Sequence, residues 1–262
     1  MCAQPVSYGG GERGRLRALT CRALPLLIAF QVGLLSFAGA PGGGAVAPPA
    51  GVSVARLSRQ VQPSLVDTIT FADPAGTQIL GTGIILSSSG LVLTDYHVIR
   101  NDLFVGVRVG GAGMVHAATV VLTDPDDDLA LLQVQDAPTL KPAELAPASS
   151  TAVGDPVLAI GNAMGLGQLP QAVAGRLVAL HRSVSYGVGS GTIDLDGVIE
   201  AVASIFAGDS GGALVDATGH VIGLIAAGSD SAPCATATVC PLHLAYAIPI
   251  HTALAQIGYT AL

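Results

Sequence analysis

The stretch Phe206-Ala207-Gly208-Asp209-Ser210-Gly211-Gly212-Ala213-Leu214-Val215 sets a serine on a glycine-rich turn that runs into an apolar strand. Glycine at −2, +1 and +2 opens backbone dihedrals closed to other residues and lets a second chain approach Ser210 closely. A serine hydroxyl is a weak nucleophile by itself. It needs a base to take its proton, a group to orient that base, and donors for the developing oxyanion. Six histidines are available as the base: His97, His116, His181, His220, His243 and His251. Only His97 stands in a context built for chemistry, where two apolar strands joined at Ser87-Ser88-Ser89-Gly90 end in Thr94-Asp95-Tyr96-His97. Strand ends on a rigid scaffold hold catalytic side chains well. The other five read as surface or structurally hydrogen-bonded residues. For the orienting carboxylate, Asp124-Pro125-Asp126-Asp127-Asp128 runs into Leu129–Val134. Asp128 directly abuts the apolar strand and is the member placed for burial; Asp126 and Asp127 read as solvated turn residues. A calcium site in the cluster is the alternative.

These residues need a scaffold of strands. Half of the 262 residues are apolar, 11% are charged, and 34 are glycine, with short β-rich segments between Gly/Pro/Asp/Ser clusters. Predicted strands are Leu65–Phe71, Gln78–Leu86, Leu91–Thr94, Leu103–Val109, Ala117–Leu122 and Leu129–Val134. A second set follows the Pro/Ala-rich stretch 137–150: Val157–Ile160, Ala172–Leu180, Gly191–Ile193, Ala213–Val215, His220–Ala226 and His243–Ile248. Val54–Val66 has weak helical spacing up to Pro63, and Ile250–Ile257 suits a closing helix. The expected fold is all-β: two packed six-stranded β-barrels, at about 62–136 and 151–250, with a short C-terminal helix.

The net charge of −7 and the single lysine, Lys141, leave no basic patch, which argues against nucleic acid as a partner. Residues 1–40 read as a targeting segment. Arg13, Arg15, Arg17 and Arg22 precede the apolar run Ala23–Phe37, and Ala38-Gly39-Ala40 offers a cleavage site. Pro41 disfavours that cut, so Ala45-Val46-Ala47 is a second candidate, and an uncleaved membrane anchor is the alternative to cleavage. Residues 41–53 form a flexible Pro/Gly/Ala linker, and 54–262 the working domain. Export to the periplasm, cell envelope or medium would expose Cys234 and Cys240 to oxidation, where a disulfide is the default and two free thiols the alternative.

The chain resembles the trypsin-like, chymotrypsin-fold serine proteases, and most closely the protease domain of the bacterial HtrA/Deg family. The resemblance is carried by Gly81–Ile99 (GTGIILSSSGLVLTDYHVI), Asp128–Val134 (DLALLQV), Gly161–Gln168 (GNAMGLGQ) and Ile199–Val215 (IEAVASIFAGDSGGALV). Gly219–Ala227 followed by Ala245–Pro249 completes it, so that the match spans about 54–257 in the order His, Asp, Ser. It implies a serine endopeptidase acting on polypeptides through an acyl-enzyme, with His97 as general base, Asp128 as its orienter, Ser210 as nucleophile, and no metal or cofactor. It further implies an oxyanion hole at the Gly208 and Ser210 N–H groups. Leu224, Ile225, Ala226 and Ala227 match the strand edge that pairs with an extended substrate. Gly161–Gln168 matches a loop that switches the family's site between active and inactive forms. The sequence is expected to lack the PDZ domain of that family.

Several positions depart from the pattern. Asp209 replaces the usual asparagine, giving a G-D-S-G-G that often needs a cationic partner, for which Arg176 and Arg182 are candidates. Phe206-Ala207 replaces a more polar pair, and Tyr96 is bulky beside His97. Ser204 stands where a carboxylate would select basic side chains. With Ala226 and Ala227 near the pocket, this favours a small or medium apolar residue at P1. Gly208-x-Ser210-x-Gly212 also fits an α/β-hydrolase elbow with Asp230 and His243, but a strand rather than a helix follows Ser210. A catalytically silent or self-inhibited pseudoprotease that binds peptides or proteins is the non-enzymatic alternative.

Overall fold

The computed structural model describes residues 53–71, 78–100, 104–137, 139–148, 150–162, 169–188, 191–228 and 243–259. The targeting segment, residues 41–52 of the linker, most of the 161–168 loop, and Cys234 and Cys240 lie outside them, as do Leu103 and Asp230.

Strands β1 (Leu65–Phe71), β2 (Gln78–Ile85), β3 (Leu91–Asp95), β4 (Val105–Val109), β5 (Val115–Asp124) and β6 (Leu129–Val134) close into a barrel in the order β1-β2-β3-β6-β5-β4. Strands β7 (Pro156–Gly161), β8 (Gln171–Val188), β9 (Gly191–Val202), β10 (Gly212–Asp216), β11 (Val221–Gly228) and β12 (Leu244–Pro249) close a second, in the order β10-β11-β12-β9-β8-β7. Closure removes the unpaired edges that make open sheets prone to aggregation. The two six-stranded barrels predicted from the sequence are borne out.

The division of the core explains why many strands read as unbroken apolar runs instead of alternating ones. In β6, Ala130, Leu132 and Val134 fill barrel one, while Leu129 and Leu131 join a cluster shared with barrel two. In β7, Val157 and Ala159 fill barrel two, and Leu158 and Ile160 face the shared cluster. In β10 it is Leu214 that points into barrel two, with Ala213 and Val215 in the shared layer. Period-2 geometry sends successive side chains to opposite faces, so a strand at the inter-barrel seam must be apolar on both.

Helix α1 (Val54–Val61) is capped by the Ser53 hydroxyl, which accepts from the Arg56 N–H, and buries Leu57 and Val61 in the shared layer. Pro63 follows in a 3-10 turn, Gln62–Ser64. Helix α3 (Ile250–Gln256) buries Ile250, Ala253 and Leu254. It ends in a Schellman motif with Gly258 at φ +66, where the Gly258 N–H donates to Ala255 and the Tyr259 N–H to Leu254.

Two strands depart from expectation. β8 and β9 run to 18 and 12 residues, whereas the sequence predicted Ala172–Leu180 and Gly191–Ile193. Register shifts near Ala179 and Arg182, with His181 at φ +57, interrupt the pattern there. Beyond them Val184, Tyr186, Ile193 and Leu195 resume it and pack on the shared layer.

Candidate active site

His97 follows β3 directly, in the single-turn helix α2 (Tyr96–Ile99). Asp128 closes the β5–β6 turn at φ +52, a left-handed conformation that a short polar residue tolerates better than most. Three bonds tie the two together. The Asp128 carbonyl accepts the Tyr96 N–H at 3.0 Å, Asp128 Oδ1 accepts the His97 N–H at 2.8 Å, and Asp128 Oδ2 lies 2.6 Å from His97 Nδ1. Asp128 is fully buried, and Tyr186 on β8 donates its phenol to the same Oδ2 at 2.6 Å. The Asp128 side chain thus collects three hydrogen bonds, one through Oδ1 and two through Oδ2, so neither of its buried oxygens is left without a donor.

A second carboxyl flanks the imidazole. Asp95 Oδ2 lies 3.9 Å from His97 Nδ1, and the Asp95 side chain is also fully buried. Neither of its oxygens has a hydrogen-bond partner among the described residues. The Gly211 N–H beside it is committed to the Ile225 carbonyl at 2.8 Å. Burial, and then the charge of Asp128, push the Asp95 pKa well above the usual carboxylate range. Donors therefore divide the roles: Asp128 is the hydrogen-bonded carboxyl of the two, and burial without donors favours the neutral form of Asp95. Asp95, His97 and Asp128 also bring one ligand atom each within 4.8 Å of one another. That spacing follows from the Asp128–His97 hydrogen bond, and an uncharged Asp95 is a poor metal ligand.

Ser210 comes from barrel two, on the turn before β10, and barrel one holds that turn through β2 and β3. The Thr82 N–H donates to the Ser210 carbonyl at 2.8 Å, and the Thr82 hydroxyl to the Gly208 carbonyl at 2.7 Å. The same hydroxyl accepts the Asn162 N–H at 2.9 Å, and Asn162 in turn donates from its side chain to the buried Asp67. A Cβ on Gly211, whose φ is +81, would stand 2.0 Å from the Thr82 carbonyl and 2.5 Å from the Thr94 hydroxyl. The glycine after Ser210 is therefore obligatory, because the seam between the barrels closes on it.

Phe206–Asp209 form a turn in which the Asp209 N–H donates to the Phe206 carbonyl at 3.0 Å. Gly208 takes φ +101 there, the sign a type II turn requires at its third residue. The N–H groups of Gly208 and Ser210 donate to no acceptor among the described residues. Asp209 is buried, accepts the Phe206 N–H at 2.8 Å, and packs on Gly161. Of the two arginines weighed as its partner, Arg182 pairs with Glu200 at 2.8 Å and Arg176 donates to the Gly154 carbonyl. His97 and Ser210 exchange no hydrogen bond, as is common in unliganded sites.

Along β11, Leu224 and Ile225 are paired on both sides, with Ala213 and Gly212 of β10 and with Ile248 and Ala247 of β12. Ala226–Gly228 run past the start of β10, with Ala227 and Gly228 paired only to β12, so the open edge is shorter than the predicted Leu224–Ala227 and displaced from it. Ser204 is half-buried. Ile205 lies against Gly228, where a Cβ would come within 2.7 Å of it. Sequence reasoning did not single out Asp95, Tyr186, Thr82 or Ile205. Asp95 had the one usable signal, an ionisable residue at the end of an apolar strand two positions before His97. Two of the remaining histidines make structural contacts: His251 bonds the Ala146 carbonyl at 2.6 Å, and His220 sits among Thr218, Asp216 and Glu144.

Comparisons with known proteins agree with this architecture. Residues 81–224, just over half of the chain, match the family model of the trypsin-like peptidase domain. The periplasmic serine endoprotease DegP of Salmonella typhimurium is 37% identical over 146 residues, covering 55% of this chain and 29% of the relative. The serine protease PepD of Mycobacterium tuberculosis is 35% identical over 215 residues, 77% of this chain and 45% of the relative. The chain thus spans less than half the length of these curated relatives. Among solved structures, the HtrA-type protease AlgW with a tripeptide superposes with a TM-score of 0.65 at 29% identity, over 79% of this chain and 63% of that one. The chain belongs to the trypsin-like peptidase family, with relatives of the HtrA/Deg type.

Proposed function

We propose that this chain is an exported serine endopeptidase, with residues 1–40 as a cleaved signal or anchor and 54–262 as the peptidase domain. The observation that carries the reading is the pairing across the barrel seam. In barrel one Asp128 holds His97 Nδ1, and barrel two brings Ser210 to the seam on a turn bonded to Thr82, with the Gly208 and Ser210 N–H groups donating to no acceptor among the described residues. Asp128 keeps the Nδ1 proton in place, so Nε2 is the nitrogen free to accept the Ser210 hydroxyl proton. Ser210 Oγ then forms its bond to the scissile carbonyl carbon while the Gly208 and Ser210 N–H groups receive the oxyanion. Collapse breaks the C–N bond, the amine leaves with the proton from Nε2, and water repeats the sequence on the acyl-enzyme.

An extended polypeptide adds to the Ala226–Gly228 edge, and its P1 side chain enters beside Ser204 and Ile205. The aliphatic Ile205 against Gly228 and the absence of a charge at Ser204 favour a small or medium apolar residue there. The family likeness and the periplasmic relatives support export. A fluorophosphonate probe tests the core of the proposal. Labelling of the wild type but not of Ser210→Ala is expected, with or without chelator. Absence of labelling under all conditions would favour a silent peptide-binding module instead.

A further inference from the structure

The outer end of β8 crosses from barrel two onto barrel one, and two polar contacts hold it there. Arg100, which ends α2, donates from Nη1 to the Val188 carbonyl at 2.7 Å. Tyr186, two residues earlier, donates its phenol to Asp128 Oδ2, the oxygen that also holds His97 Nδ1; both distances are 2.6 Å. The tyrosine ring meets the imidazole edge to face, with centroids 6.2 Å apart and planes at 76°. Burial, and then the neighbouring Asp128, raise the phenol's pKa, which keeps it a donor.

We propose that Tyr186 is a positioning residue whose phenol clamps Asp128 and, by sharing Oδ2 with the imidazole, sets how strongly Asp128 draws the Nδ1 proton of His97. The consequence for turnover rests on the protease reading above, whereas the effect on the His97–Asp128 pair rests on the geometry alone. Two short charge-assisted bonds to one oxygen divide its acceptor strength. Without the phenol, that strength goes to Nδ1 alone and favours the protonated ring, while the carboxylate loses a tether. Of the other titratable or charged groups nearby, Asp95 on β3 lies 3.9 Å from His97 Nδ1 and has no hydrogen bond to Asp128, and Arg100 donates to the Val188 carbonyl. Neither replaces the phenol. Because Tyr186 belongs to barrel two and Asp128 to barrel one, the clamp also makes the pair sensitive to how the barrels meet.

Tyr186→Phe in the full chain removes one oxygen and keeps the ring. The acid limb of the kcat/KM profile is expected to move to higher pH by about half a unit, a threefold change in proton concentration. The value of kcat should fall several-fold with KM unchanged. The far-downfield proton resonance of the His97 Nδ1–H should move further downfield, including in a Ser210→Ala background where turnover plays no part. Arg100→Ala, which removes the second contact of the strand end, should move the resonance in the same direction by less. Superimposable pH profiles and an unmoved resonance in both variants, with thermal unfolding unchanged, would overturn the clamp while leaving the protease reading standing. A shifted resonance in a protein that no fluorophosphonate labels would keep the clamp and sink the protease reading.

Discussion

Replacing Asp128 by asparagine changes one atom, and the structure says which bond suffers. Asp128 accepts the His97 N–H through Oδ1 and both the His97 Nδ1–H and the Tyr186 hydroxyl through Oδ2. Asparagine offers one oxygen and one NH2 in the same space. With its oxygen at the Oδ2 position, the NH2 would point at the His97 N–H, leaving buried donors opposed at a cost of about 1–3 kcal/mol each. With its oxygen at the Oδ1 position, the backbone bond survives and the phenol rotates to accept from the NH2. His97 Nδ1 must then accept as well, which moves the ring proton to Nε2 and, on the function proposed above, removes the base. The second arrangement satisfies every group and is the expected one. Fixing that tautomer lowers kcat by about 10⁴-fold, or about 5.5 kcal/mol of barrel-bridging catalysis. The assay is kcat/KM on a fluorogenic casein, with folding checked by denaturant titration and Asp95→Asn as the paired control, expected within about threefold of wild type. An Asp128→Asn enzyme within tenfold of wild type, or an Asp95→Asn enzyme equally crippled, would refute this reasoning and pass the orienting role to Asp95.

Other consequences are open to simpler measurements. Asp95 has a folded-state pKa raised above its unfolded value, so its contribution is full below the ordinary carboxylate range and is lost as pH rises through the raised value. Stability from urea titrations should therefore decline over that interval, and Asp95→Asn should flatten the decline. Gly211→Ala forces a Cβ to within 2.0 Å of the Thr82 carbonyl at φ +81; a loss of about 4 kcal/mol or more in denaturant titration is expected, and a loss under 1 kcal/mol would show that the seam yields. Thr82→Val leaves the Gly208 carbonyl and the Asn162 N–H without their shared partner. A drop of about tenfold in kcat/KM is expected, at a size set by one unmade buried hydrogen bond, while unchanged kinetics would show that the turn holds itself.

The fold was legible because its signals are local. Apolar runs bounded by Gly, Pro and Asp mark strands wherever the chain is buried on two faces, as in β6 and β7. Ser210 and His97 were legible for a similar reason, since each is a reactive type at the end of such a run. Asp128 could be picked from its neighbours because only it touches the strand. What escaped were residues whose role depends on distant partners. Asp95 reads as a polar residue in a turn until burial deprives it of donors. Tyr186 lies in a stretch of Ser, Gly and Val that reads as a loop, because the break in register near His181 hides the alternation resuming after it. The shorter open edge of β11 was also invisible, since where β10 begins against β11 depends on how tightly Gly211 and Gly212 pack, and that is decided across the barrel seam.

The division of the candidate triad between barrels has a consequence for the life of the chain before it is finished. A nascent or partly folded molecule with only the first barrel formed holds an imidazole and a carboxylate but no activated nucleophile. One with only the second barrel formed holds a serine with no base. Cleaving power then arises at the last step of folding, when the two halves dock and few segments are left loose enough to be cut. On the reading proposed above, this arrangement spares the protein from digesting its own intermediates.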